Sequence, residues 1–280
     1  MQAMSHSAVV GTAAHEETPH AHTTATRSPP TTMVDVVFPE RANHHGTLFG
    51  GAALAMMDKL AFLVATRETR RPMVTANSGR IDFHSPIPQG RLIELSGNIV
   101  RRGTRSIEVD VSLIAEDLCS GIRSTGLHGH FTLVSVGDAR TGAPAAPVPE
   151  PVDEHTTRMV ELVFPSHTNH IGTLYGGQAL EWLGKAAFVA ASRLARMPVV
   201  MASSDRIDFH APVLEGEIVD LSAKVVHVGN SSLVVEVTMH AEELLSGQRR
   251  LCTRGQFTMV AIAYDGRPTP VAPPRPISDA

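Results

Sequence analysis

The chain has only two cysteines, Cys119 and Cys252, too few for a disulfide framework. Both read as small apolar residues in a reduced, cytoplasmic setting. No stretch approaches the roughly 18 consecutive apolar residues that a membrane-spanning helix needs. A formal net charge of −4 offers no general attraction for nucleic acid or an anionic membrane. The Gly-x-Ser-x-Gly turn of a serine triad is missing, and no Cys/His spacing suggests zinc. The first 32 residues have neither the basic start nor the apolar core of a secretory signal. Their Ser, Thr, His, Ala and Pro content predicts a disordered tail, in which His6, His15, His20 and His22 have no fixed geometry for a metal.

What the chain does have is one unit written twice, at a spacing of 126 residues. "MVDVVFPERANHHGTLFGG" from Met33 answers "MVELVFPSHTNHIGTLYGG" from Met159, and "SGRIDFHSPIPQG" from Ser78 answers "SDRIDFHAPVLEG" from Ser204. The offset holds without a gap, which places one unit over 33–137 and another over 158–264. A Pro- and Ala-rich stretch over 138–157 reads as a semi-rigid linker, and 265–280 as a second disordered tail.

Within each unit the apolar pattern predicts a short strand, a loop, one helix and then further strands. Met33 to Phe38 is a short apolar strand, and helical spacing runs from Gly51 to about Arg67. "RIDFH", "LIELSGNIV", "SIEVDVSLIAE" and "GLHGHFTLVSV" alternate with period two. Short connections make these strands mostly antiparallel. The result is an α+β unit, a curved sheet wrapped around one apolar helix, with two units paired as a pseudo-dimer.

A helix opened by Asn-x-x-Gly-x-x-x-Gly-Gly and followed by "RIDFH.P...G" resembles the hotdog fold. More narrowly it resembles the acyl-CoA thioester hydrolases that carry two hotdog units in one chain. The resemblance covers Met33 to Val136 and Met159 to Tyr264. It implies hydrolysis of acyl-CoA to free fatty acid and CoA without a metal or redox cofactor, CoA being part of the substrate. It also implies further assembly into a trimer of chains. Two other readings stay open: a hotdog hydratase or dehydratase acting on an enoyl-CoA, and a non-catalytic acyl-CoA sensor. The loop positions of His44, His45 and His170 weaken the hydratase reading.

Asp58 is the first candidate residue. Its helical neighbours at three and four residues are Leu54, Ala55, Ala61 and Phe62, so the acid lies on an apolar stripe. Burial there raises a carboxyl pKa and asks for a functional reason; the alternative is a solvated acid or a pair with Lys59. The second unit carries Gly184 at the matching position. Glycine in mid-helix costs about 1 kcal/mol relative to alanine. It leaves room for an acyl chain or a neighbouring side chain.

Gly50-Gly51 and Gly176-Gly177 stand at helix starts, where unpaired amides polarise a carbonyl and stabilise an oxyanion. Taken alone, such glycines mean only a tight turn. Asn43 and Asn169 either hold a water or cap a loop. The resemblance implies that the Asn and the helix acid of one site come from facing units. Asp58 then works with Asn169, with Gly177 as oxyanion donor, while Asn43 and Gly184 form a degenerate cleft. Arg80 and Arg206 belong to exposed polar strand faces, with contact to CoA as a second reading. Ser232, beside Arg105, Ser106 and Ser231 at hairpins, reads first as part of a plain solvated turn, with contact to the CoA diphosphate as a second reading.

Overall fold

The computed structural model describes residues 30–136, 156–263 and 265–271. Each unit contributes six strands and one 20-residue helix. The first holds β1 (Thr31–Val36), α1 (Gly50–Thr69), β2 (Met73–Ser78), β3 (Ile81–Phe83), β4 (Leu92–Arg102), β5 (Ser106–Glu116) and β6 (Arg123–Ser135). The second repeats the order with β7 (Thr157–Leu162), α2 (Gly176–Ala195), β8 (Val199–Ser204), β9 (Ile207–Phe209), β10 (Ile218–Val228), β11 (Ser232–Glu242) and β12 (Arg249–Ala261).

All strand pairs are antiparallel, and the two halves join edge to edge in one 12-stranded sheet. The seam is made by β2 with β9, where Asn77 faces Asp208, and by β3 with β8, where Ile81 faces Ser204. The alternation of "SIEVDVSLIAE" is seen directly in β5, where every second residue, from Ile107 to Ala115, is buried. These inward side chains pack on α1, whose Leu54, Met57, Leu60 and Ala61 are fully buried.

Three expectations need correction. Each unit has a strand that the sequence pattern did not reveal, β2 and β8, because "MVTANS" and "VVMASS" lack clean alternation of apolar and polar residues. Residues 265–271, assigned to the C-terminal tail, are partly ordered: Pro268 bridges Ile262, the Val271 amide donates to the Asn230 carbonyl at 2.8 Å, and Val271 packs against the core. The strands β1 and β7 each begin a residue or two before the unit bounds expected from the repeat. The remaining N-terminal residues, most of the linker and the last nine residues lie outside the described residues.

The two helices meet through their glycines. A methyl group on Gly51 would lie 2.9 Å from the Glu181 carbonyl oxygen, and one on Gly177 would lie 2.9 Å from that of Ala55. These partners run in opposite order along the two helices, which therefore approach antiparallel, each N-terminus against the other helix. Gly51 and Gly177 are thus required by backbone-to-backbone contact rather than by a turn. Gly51→Ala forces the helices apart and is expected to lower unfolding free energy by about 1–3 kcal/mol, read from denaturant unfolding; an unchanged midpoint contradicts the contact.

Candidate functional site

Asp58 is fully buried in α1, while Lys59 beside it is exposed. The apolar stripe therefore places the acid inward, as its neighbours predict, and the pair with Lys59 does not form. The Thr75 hydroxyl on β2 donates to Asp58 Oδ1 at 2.6 Å. Oδ2 has no hydrogen bond of normal geometry, although the Gly177 amide and the Tyr175 hydroxyl lie close enough to favour its charge. A methyl group at Gly176 would sit 2.8 Å from Thr75 Cβ and 3.3 Å from Asp58 Oδ2. The carboxylate of the first unit thus ends against the N-terminus of the second unit's helix, where partial positive charge resides.

Burial drives the Asp58 pKa up to about 6, against the smaller opposing pull of Thr75, Gly177 and Tyr175. Desolvation wins because three dipoles do not replace the water a carboxylate loses. The same pairing pushes the Tyr175 hydroxyl well above its ordinary range, through burial first and the charge of Asp58 second. An acid with a pKa near 6 is ionised at neutral pH yet remains a competent proton acceptor.

Thr75, Gly176, Tyr175 and Asn169 line one cleft of about 310 Å³ between the units, with apolar walls from Phe62, Met73, Val134, Phe209 and Met239. Cys252 also faces it; burial pushes that thiol up to about 11, so it stays a neutral apolar wall. The Asn169 side chain closes its own loop: Oδ1 accepts from the Ile171 and Thr173 amides at 3.1 and 3.2 Å, and Nδ2 donates to Thr173 Oγ1 at 2.8 Å. The loop-capping role is therefore present, and one Nδ2 proton is left over for the cleft.

The matching cleft contains Asn43 with the same loop bonds, to the His45 and Thr47 amides and the Thr47 hydroxyl. Its chemistry is gone in three places at once. Gly184 replaces Asp58, Met201 replaces Thr75 and Phe49 replaces Tyr175. The space at Gly184 is taken by a neighbouring side chain rather than an acyl chain. A methyl there would lie 3.0 Å from Met201 Cε and 3.1 Å from Gly51 Cα. Sequence reasoning missed Thr75 and Tyr175. The signal was the repeat itself, in which both positions change together with the acid.

Other candidates stand apart from the chemistry. Arg80 is exposed and paired to Asp82 and Asp205, both at 2.9 Å, and Arg206 pairs with Asp208 at 2.7 Å. Neither arginine lines either of these two clefts, and both sit on exposed polar faces with ion pairs, as the first reading has it. Ser232 folds over its own hairpin, 2.7 Å from a methyl placed on Gly229, and lines neither of these two clefts, in keeping with a plain turn. Gly177 presents its amide to Asp58, which leaves Gly176 as the helix-start residue lining the cleft. The sheet pairing also assembles Asp110, His128 and His130 on β5 and β6, with ligand atoms within 4.8 Å of one another, a grouping that sequence spacing does not show.

A family model described as the thioesterase superfamily matches residues 45–120 and 171–247, once in each unit. The chain belongs to the thioesterase superfamily. This thioesterase-superfamily chain is 25% identical over 290 residues to the cytosolic acyl coenzyme A thioester hydrolase of Mus musculus, covering 86% of this chain and 76% of the relative. It is 42% identical to a crystallised acyl-CoA hydrolase from Agrobacterium tumefaciens, over 86% of this chain and 98% of that one, with a TM-score of 0.41. A chain from Novosphingobium aromaticivorans, 17% identical over 83% of this chain and 96% of its own, superposes with a TM-score of 0.60 and shows the shared fold.

The raised pKa of Asp58 links this thioesterase-superfamily site to stability. A folded pKa above the ordinary 3.8 means that the native state binds the proton more tightly. Stability from this group is full below about pH 4 and is lost as pH rises through about 6, a change of about 3 kcal/mol. Wild type should lose that much more stability than Asp58→Asn between pH 4 and pH 7.5 in denaturant titrations. Equal slopes for the two chains would contradict a buried, ionising carboxyl.

Proposed function

We propose that the chain hydrolyses acyl-CoA thioesters to free acid and CoA at the cleft beside Asp58. The single observation that carries this reading is a buried carboxylate with an elevated pKa, seated between a hydroxyl of its own unit and the helix start of the other. Family membership and relatives named as acyl-CoA hydrolases support the substrate class. Asp58 takes a proton from water through Oδ2, its oxygen without a full hydrogen bond, while the water oxygen attacks the thioester carbon. The amides that open α2, with Gly176 at the cleft wall, stabilise the tetrahedral oxyanion. Collapse breaks the C–S bond, and the thiolate leaves with the proton.

The Asp58 carboxylate lies behind Thr75 and Gly176 rather than forming the cleft wall. This favours water activation over direct attack, which needs the oxygen within about 3–3.5 Å of the carbon. Asn169 places the water through its spare Nδ2 proton. We also propose a trimer of chains. Exposed apolar side chains recur at matching positions on the outer strands and the loops after them, Val34 with Val160 and Phe38 with Phe164, and a closed ring of chains buries them. A cytosolic setting is proposed from the mouse relative's name.

Thiol release should fall roughly 100- to 10,000-fold in Asp58→Asn and fall severely in Asn169→Ala, but only mildly in Asn43→Ala. Both asparagines close identical loops, so their difference isolates chemistry from folding; similar losses in both would overturn the assignment of one live cleft. In Thr75→Ala the acid limb of the kcat/KM profile should move above its wild-type midpoint near pH 6, since a proton donor to the carboxylate is removed. A single turnover in heavy-oxygen water should label the acid product; unlabelled acid would show direct attack by Asp58 instead.

A further inference from the structure

The second cleft has lost its reagents without closing. It measures about 530 Å³ against about 310 Å³ for the cleft beside Asp58. Met201 fills only the corner where the acid would stand, against Gly50 and Gly184. An open cleft walled mostly by apolar side chains is the usual form of a small-molecule site. Here it is kept, and its walls keep their counterparts. Phe83, Pro86 and Ile87 stand where Phe209, Pro212 and Val213 stand in the first cleft, and the Asn43 loop retains its hydrogen bonds.

Two wall residues have changed toward polarity: Ser85, whose hydroxyl donates to the Thr125 carbonyl, stands for Ala211, and His45 stands for Ile171. His45 lines the second cleft, and its Nε2 is buried with no hydrogen-bond partner. Burial, then the neighbouring charge of His44, hold its pKa below the ordinary value, so the ring is neutral at neutral pH. A buried polar atom without a partner is rare in folded proteins and asks for one. A neutral imidazole matches an amide or thioester carbonyl better than a phosphate, and the apolar walls suit an acyl chain.

We propose that the second cleft binds the acyl-pantetheine part of a second acyl-CoA without hydrolysing it. The inference rests on the substrate class proposed for the first cleft, because the walls of the two cavities match position for position across the repeat. It makes the chain a hydrolase with a built-in binding site for its own substrate class, with His45 Nε2 meeting an amide or carbonyl of the pantetheine arm.

The test is equilibrium dialysis of the full wild-type chain with a non-hydrolysable acyl-CoA thioether, followed by two variants confined to the second cleft. Wild type should bind two analogues per chain. Val200→Trp, whose side chain blocks the cleft, should bind one. His45→Leu should retain one tight site and weaken the other at least roughly tenfold, the order expected for a lost buried hydrogen bond. One analogue per wild-type chain overturns the inference and leaves the proposed hydrolysis intact, as do two tight sites that survive both substitutions. No binding at all removes the acyl-CoA reading together with this one.

Discussion

The close antiparallel meeting of the two helices is the constraint from which the site follows. Gly51 against Glu181 and Gly177 against Ala55 bring each helix start within backbone contact of the other helix. Asp58 lies one turn beyond Ala55, so the same approach places its carboxylate against the amides and partial positive charge at the start of α2. Neither unit alone contains this arrangement. The acid and Thr75 belong to the first, the helix start, Tyr175 and Asn169 to the second, and the continuous sheet through β2 and β9 holds the halves in register.

The asymmetry between the clefts has a physical logic. A buried carboxylate without donors is costly, and a buried hydroxyl without an acceptor is also left unsatisfied. Once position 184 is glycine, a threonine at 201 or a tyrosine at 49 would lose its acceptor. Methionine and phenylalanine stand there instead. The exchange also balances volume, since Met201 occupies space vacated at Gly184. Three substitutions spread over both units therefore form one event in space.

Much of the fold is legible in the sequence because its signals are local. The repeat sets two units, helical spacing reveals both helices, and strict alternation reveals β4, β5 and their counterparts β10 and β11. The strand β2 escapes because its residues are half-buried on both sides of the seam, giving no period. Thr75 escapes with it, since a hydroxyl on an unrecognised strand has no visible partner 17 residues away. The glycine pairs are legible as special, but not for the right reason. Helix-to-helix contact depends on a second segment 126 residues distant.

The sequence by itself determined that there are two like units, that one helix carries an acid on its apolar stripe, and that the other does not. These follow from periodicity and from comparing the chain with itself. Only the tertiary structure decided which atoms meet that acid, that Arg80, Arg206 and Ser232 stand away from it, and that the second cleft remains open. Those outcomes depend on how two distant surfaces pack, and packing is set by shape in three dimensions, which no linear pattern records.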